Sequence, residues 1–200
     1  GHSAIRIDNR IYNYGTFSFH EPGFLANFVK GKMQYYLGVS RYDRELVRYI
    51  HRENRSIYEQ RLDLTAEETA ELKKFLKNNA KKENRHYDYE FIKDNCSSRI
   101  RDVLNNVLGD GIEFNSGITE QICDKSYRDY IRSYLGNHPW FDTGIQFTLG
   151  MVADRKVSPE DAFFLPELVQ AQFEGCNRIA DSGFTYEAVI PPGLVKENVP

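Results

Sequence analysis

Apolar and polar residues alternate along several short stretches of the chain, which predicts β-strands there. Residues 1–7 alternate, Asp8-Asn9 is a turn pair, and residues 10–19 are rich in β-forming side chains, so residues 1–19 predict a hairpin. Gly15, inside the second strand of that hairpin, indicates a bulge or the close approach of another group. Further strands are predicted over 33–39, 55–64 and 185–190.

Apolar residues recur at helical spacing in other stretches. Thr65-Ala66-Glu67-Glu68 forms a capping box that begins a helix running to about Lys77. Another helix is predicted to begin next to Asp94-Asn95 and to stop at Gly109. Additional helices are predicted over 23–30, 41–53, 126–135, 140–149 and 159–176. The pattern predicts an α+β domain with an antiparallel sheet of roughly four to six strands. We divide it into a core over 1–115 and a mostly helical extension over 116–200 packed on the same domain.

The composition argues against several classes of protein, including nucleic-acid-binding and metal-binding proteins. The chain has 200 residues, a net charge of −3 and a pI near 6.0, which gives no electrostatic case for nucleic-acid binding. The mean hydropathy of −0.59 and the lack of a long apolar run predict no transmembrane helix. The spacing of Cys96, Cys123 and Cys176 fits neither a zinc site nor a disulfide framework, so we expect no metal and no cofactor. Cys123 and Cys176 either pair or remain two buried thiols.

Cys96 is the candidate nucleophile. Its predicted position at a helix start exposes it to backbone N–H groups and to the positive end of the helix dipole. That environment lowers the pKa of a thiol and favours the thiolate, while the same N–H groups can hold an oxyanion. The alternative is that Cys96 is a small buried apolar residue, as free cysteines often are.

A nucleophilic cysteine needs a base, and five histidines are available: His2, His20, His51, His86 and His138. His2 is preferred because it lies in a predicted strand between the small residues Gly1 and Ser3. Closing the hairpin at Asp8-Asn9 pairs His2 with Gly15, and we predict that the phenol of Tyr14 reaches the imidazole and orients it. Asn13 is the alternative partner, and Tyr14 has the alternative role of an ordinary cross-strand aromatic residue.

Several blocks of the chain together resemble the Lnb N-terminal periplasmic domain family. These blocks are GHSAIRI, YNYGTF, RSIYEQRLDLT, DYEFIKDNCSSRIRD, FTLG and FFLP, in this order. The family belongs to a permuted papain-like group that also contains the lecithin retinol acyltransferase family. In that group the histidine strand precedes the cysteine helix, which is the order of His2 and Cys96. The acyltransferase relatives carry a third polar residue, usually histidine, at the position that Tyr14 holds here.

The resemblance implies a permuted papain-like fold and a lipoprotein N-acyltransferase. Such an enzyme moves an acyl chain from the diacylglyceryl group of a bacterial lipoprotein to its N-terminal amine through a cysteine thioester. Cys96 would be the nucleophile and His2 the base, with Asn95 and Ser97 in supporting roles. The implied partners are a diacylated lipoprotein or phospholipid acyl donor and a membrane surface, in the periplasm or at the outer face of the cytoplasmic membrane. Family members normally carry further chain before Gly1, so we expect this chain to be trimmed there.

Two other sets of side chains are candidates for substrate contact. Arg99 and Arg101 either meet lipid phosphate or acidic lipoprotein residues, or cap and solvate the helix face. Aromatic residues that either line an acyl groove or pack in the core are Phe17, Phe19, Phe24 and Phe28. The alternative functions are an NlpC-type cysteine peptidase or amidase acting on cell-wall peptide, and a non-catalytic binding domain.

Overall fold

The computed structural model describes residues 2–17, 33–135 and 150–186. The predicted helices over 23–30 and 140–149 lie outside these residues. So do the candidate residues Phe19, His20, Phe24, Phe28 and His138.

An antiparallel sheet forms one side of the domain. Its strands are β1 (Ile5–Ile7), β2 (Arg10–Thr16), β3 (Met33–Arg41) and β5 (His86–Tyr89), arranged in the order β1-β2-β3-β5. A second, two-stranded antiparallel sheet pairs β4 (Ile57–Leu62) with β6 (Ile179–Tyr186). The predicted α+β class with an antiparallel sheet is therefore confirmed.

The first hairpin closes at the predicted turn. Asp8 has a φ of 52°, a conformation that Asp tolerates in turns, and Ile5 lies opposite Tyr12. The register between β2 and β3 shifts between Asn13 and Thr16, which is a bulge beside Gly15. The expectation for Gly15 is therefore confirmed.

The helices follow the predicted pattern with shifted ends. They are α1 (Tyr42–Val47), followed by a π-helical turn (Arg48–Arg52), then α2 (Ala66–Asn79), α3 (Cys96–Leu108), α4 (Ser116–Cys123), α5 (Tyr127–Leu135) and α6 (Pro166–Glu174). Short 3-10 turns cover Gly109–Gly111 and Gly150–Asp154. The capping box at Thr65 is present, and Gly109 ends α3 with a φ of 52°.

The predicted helix over 159–176 begins later than expected. Residues 159–163 form turns, and α6 begins at Pro166, whose missing N–H and fixed φ suit the first helical position. The last strand begins at Ile179, earlier than predicted, and residues 187–190 lie outside the described part of the chain.

The core lies between the four-stranded sheet and helices α2 and α3. It includes the fully buried side chains of Tyr12, Tyr14, Leu37, Leu76, Leu104 and Phe164. Since Phe164 packs in the same cluster as residues from the first half of the chain, the two predicted parts share one core. The boundary at residue 115 stays a prediction. Among the described residues, no helix is both long and apolar enough to cross a membrane.

Candidate active site

The site is built on the first turn of α3. Asn95 is the N-cap: its Oδ1 accepts from the backbone N–H of Ser97 at 2.7 Å and of Ser98 at 3.1 Å. Ser98 completes a capping box, because its Oγ accepts a hydrogen bond from the backbone N–H of Asn95. Cys96 is therefore the first helical residue, as predicted. Within the described residues, its own backbone N–H has no acceptor.

Asn95 also fixes the loops around this helix start. It is 3 % exposed, and its Nδ2 donates to the carbonyl oxygens of Phe91 at 2.5 Å and Phe164 at 2.9 Å. Every polar atom of the side chain thus has a structural partner. Asn95 supports the site by holding the helix start in place.

The thiol of Cys96 is half-buried, with polar groups around it. Burial raises the pKa of the thiol. Three neighbours lower it: His2 through a hydrogen bond and its charge, Ser3 through its backbone N–H, and Ser97 through its hydroxyl. The net effect is a lowered pKa. The Ser97 Oγ lies 3.9 Å from the sulfur and 3.1 Å from the Ser3 Oγ. The structure therefore brings His2, Ser97 and Cys96 together.

His2 is oriented by Asn13. Its Nε2 lies 2.7 Å from Asn13 Oδ1, and the backbone N–H of Gly15 donates to the same oxygen at 2.7 Å. Since the Gly15 N–H can only donate, the atom between them must be the amide oxygen, and Nε2 of His2 must carry the hydrogen it shares. The neutral imidazole then has Nδ1 unprotonated and able to take the proton of Cys96.

Gly15 provides the space that the imidazole occupies. A Cβ built on Gly15 would lie 2.3 Å from Cε1 and 2.9 Å from Nδ1 of His2, which no real side chain tolerates. Strand β1 begins only at Ile5, so His2 lies before the strand rather than within it as predicted, but its ring does lie against Gly15. The glycine is required here for close approach of a ring.

The predicted contact between Tyr14 and His2 is wrong. The imidazole of His2 contacts Asn13 and lies against Gly15, and successive residues of a strand point to opposite faces, so Tyr14 points away from Asn13. Tyr14 is 1 % exposed, its hydroxyl accepts from Asn79 Nδ2 at 2.8 Å, and burial raises its pKa to about 12. Asn13, the alternative, holds the imidazole.

A group of tyrosines beside the thiol escaped the sequence analysis. Burial is the largest cause of the raised pKa values of Tyr35, Tyr87 and Tyr89. The charge of Cys96 raises all three further, after the charge of Tyr35 in the case of Tyr89. Tyr35 stacks on Tyr89 with ring centroids 4.3 Å apart and lies 5.0 Å from the ring of Phe17. The sequence contains a pattern that could have revealed this group. Tyr87 and Tyr89 are two residues apart in the strand before Cys96, so their side chains share a face of the sheet.

These rings form an aromatic wall, which we define as Phe17, Tyr35, Tyr87 and Tyr89. It is built by strands β3 and β5 and by the end of the first hairpin. The four aromatic residues that the sequence offers for an acyl groove lie in the first hairpin and in the predicted helix over 23–30, and that helix lies outside the described residues. Of the aromatic residues proposed for that surface, Phe17 is the one that the structure describes.

The two arginines of α3 have structural partners. Arg99 pairs with both carboxylate oxygens of Asp94, at 2.5 Å and 2.7 Å, and its guanidinium lies 4.0 Å from the ring centre of Tyr87. Arg101 pairs with Asp102 and donates to the carbonyl of Glu160. These contacts favour the structural interpretation of both residues.

The remaining candidate histidines and cysteines lie elsewhere. His51 is exposed in the π-helical turn, and His86 is exposed on β5 with its ring 5.7 Å from that of Tyr36. Cys123 and Cys176 are free thiols whose pKa values are raised by burial. Within residues 2–17, 33–135 and 150–186, no cluster of His, Cys, Asp or Glu side chains has the makeup of a metal site.

One family model matches the part of the chain that contains these site residues. The family model of the Lnb N-terminal periplasmic domain matches residues 1–135, which include His2, Asn13 and Cys96. The chain belongs to the Lnb N-terminal periplasmic domain family. Its place is therefore the periplasm, within the cell envelope. No curated protein and no solved structure matched the chain.

Proposed function

We propose that this Lnb domain is a thiol-dependent acyltransferase that moves an acyl chain from the diacylglyceryl group of a lipoprotein to its N-terminal amine. The observation that carries the proposal is the alignment of Asn13, His2 and Cys96 at a helix start, where the pKa of the thiol is lowered. The match to the Lnb family and its resemblance to permuted papain-like acyltransferases support this chemistry over other thiol reactions.

The first half-reaction forms a thioester. Nδ1 of His2 takes the thiol proton, and the sulfur of Cys96 attacks the carbonyl carbon of an acyl ester. The backbone N–H of Cys96, which has no acceptor among the described residues, would donate to the oxyanion. The C–S bond forms, the ester C–O bond breaks, and His2 returns the proton to the leaving alcohol.

The second half-reaction forms the amide. The N-terminal amine attacks the thioester, the C–N bond forms and the C–S bond breaks. The amine loses its proton to His2, which passes it to the departing thiolate of Cys96 and restores the resting state. Asn13 keeps the hydrogen on Nε2 throughout, so the same Nδ1 atom handles the proton in both steps.

The aromatic wall supports acyl transfer rather than hydrolysis. Tyr35 and Tyr89 lie close enough to the thiol for the charge of Cys96 to act on them, and Phe17 packs against Tyr35. An aromatic surface of this kind packs against an acyl chain and keeps water from the thioester. An enzyme that cleaves cell-wall peptide would need polar partners for peptide groups at that position.

The test is product analysis with a diacylated lipopeptide. The protein is incubated with it, and the N-terminal amine is examined by tandem mass spectrometry for an added acyl chain and a matching lyso product. We expect N-acylation by the unaltered protein and by Cys123→Ala, but none by Cys96→Ala. Cleavage of a muropeptide without acyl transfer would contradict the proposal. Intact-protein mass should also show an acyl adduct that Cys96→Ala lacks.

A further inference from the structure

A cleft lies at the opposite end of the first hairpin from His2. It occupies about 580 Å³ between the Asp8-Asn9 turn, the start of β2, the end of β3 and helix α2. At roughly 3.3 Å per extended residue, the five steps from His2 to Ile7 separate the cleft from the candidate catalytic histidine by roughly 16 Å. The cleft is therefore not part of the active site.

The charge of the cleft is opposite to that of the protein. Arg10, Arg41, Lys73 and Lys77 line it, and Asp8 is the one carboxylate among its lining residues, whereas the chain as a whole carries −3. Concentrated positive charge of this kind attracts anions. The cleft is thus a cationic feature on an acidic protein.

Two of the four cations are already paired. Lys73 binds Asp8, whose pKa is lowered by that contact, and Arg41 binds Asp43 at 2.5 Å. Arg10 and Lys77 have no ion pair within the described residues. The charge of Lys77 also acts on Asp8 from a distance, but neither Lys77 nor Arg10 is held in a direct ion pair, so these two residues are the main candidates for contact with an external anion.

The floor of the cleft is apolar. Ile7, Tyr12, Val39 and Ala80 line it, and Val39 is 39 % exposed although it is a large apolar residue on a strand. A bare inorganic anion would leave this surface in water. A ligand that carries an anionic group next to hydrocarbon would satisfy both parts of the cleft.

We propose that this cleft binds the phosphate group of an anionic glycerophospholipid, with Arg10 and Lys77 as its main contacts. The guanidinium forms a forked contact with phosphate oxygens, the ammonium adds a point charge, and the apolar floor packs against the glycerol-proximal hydrocarbon. Such a contact would dock the domain on a membrane leaflet with the hairpin turn toward the lipid. It is independent of the thiol chemistry.

The test is vesicle co-sedimentation with Cys96→Ala protein, so that acyl transfer cannot alter the lipid. Vesicles of phosphatidylcholine alone are compared with vesicles that also contain phosphatidylglycerol. We expect binding to the anionic vesicles, weakened about tenfold or more in Arg10→Gln/Lys77→Gln. The matched control is Arg52→Gln/Lys125→Gln, which removes two exposed cations outside the cleft and should bind like its parent.

Three results would overturn the proposal. One is equal loss of binding in both double variants, which would indicate only general charge attraction. Another is equal binding to both kinds of vesicle. The third is full competition by inorganic phosphate at the same phosphate concentration as the lipid, which would make the ligand a free anion. Failure of acyl transfer in the lipopeptide assay would leave this result unchanged, so the two proposals can fail separately.

Discussion

The Nε2 atom of His2 lies 2.7 Å from the Oδ1 atom of Asn13, and the backbone of Gly15 fixes that amide by donating to the same oxygen. We predict that Asn13→Ala lowers the acyl-transfer rate about tenfold or more, since the imidazole loses its orienting partner. Asn13→Asp keeps an acceptor for both donors and should restore most of the rate.

Tyr14→Phe is the matched control for Asn13→Ala. It removes the hydroxyl that accepts from Asn79 on the core face of the same strand. We expect the rate to be unchanged and the free energy of unfolding to fall by about 1 kcal/mol, the usual value of one hydrogen bond. A large rate loss in Tyr14→Phe with none in Asn13→Ala would reverse the assignment.

Gly15→Ala should disable the site without unfolding the domain. The new Cβ would lie 2.3 Å from Cε1 of His2, so the ring must move, and a displacement of about 1 Å can lower a rate about a hundredfold. Gly111→Ala is the control, because its Cβ would meet neighbours at the ordinary distance of 4.0 Å. Rate and thermal unfolding are measured for both. An unimpaired rate in Gly15→Ala would show that His2 does not act from this position.

Cys96 should react with iodoacetamide at a lower pH than the other two thiols. Alkylation requires the thiolate, whose fraction rises as pH passes the pKa. The pKa of Cys96 is lowered, whereas those of Cys123 and Cys176 are raised, so the Cys96 rate should rise first as pH increases. Peptide mass spectrometry across a pH series measures this order. Equal rates for all three thiols would argue against an activated Cys96.

The same series with His2→Gln tests the cause of the lowered pKa. Burial of the Cys96 thiol remains in this variant, while the hydrogen bond and the charge of His2 are lost. The Cys96 profile should therefore move to higher pH. A profile that stays in place would assign the lowered pKa to Ser3, Ser97 and the helix start instead.

Asn95→Ala should destabilise the domain more than Asn115→Ala. Both asparagines cap a helix by accepting from two backbone N–H groups, α3 in one case and α4 in the other. Loss of a cap costs about 1 kcal/mol, which is the expectation for the exposed Asn115. Asn95→Ala also leaves the carbonyls of Phe91 and Phe164 unpaired, so we expect its free energy of unfolding to fall by about 2–3 kcal/mol. Urea unfolding of both variants measures the difference, and equal losses would contradict it.

The local parts of the fold were predictable from sequence. The hairpin turn, the capping box at Thr65 and the start and stop of α3 depend on neighbouring residues, and each was predicted close to its observed place. The start of α6 was predicted too early because the first helical position is taken by Pro166 and not by Pro159.

The site was predictable in part. His2 and Cys96 were identified from order and local structure, but their orienting partner depends on which face of β2 the imidazole occupies. A one-residue difference in strand phase separates Asn13 from Tyr14. The wall formed by Tyr35, Tyr87 and Tyr89 depends on the pairing of β3 with β5, which brings together residues far apart in the chain. Local sequence patterns do not predict which strands pair over such a distance.

The bond from Asn95 Nδ2 to the carbonyl of Phe164 has a consequence for the order in which the domain matures. Phe164 is synthesised well after Cys96 and lies beyond the stretch matched to the family, residues 1–135. While a nascent chain ends before Phe164, the amide that caps the nucleophile helix lacks one of its anchors. Full protection of the Asn95 region against hydrogen exchange therefore comes only when the later segment docks. We therefore expect the helix start at Cys96 to reach its full stability only after the segment around Phe164 has packed against it.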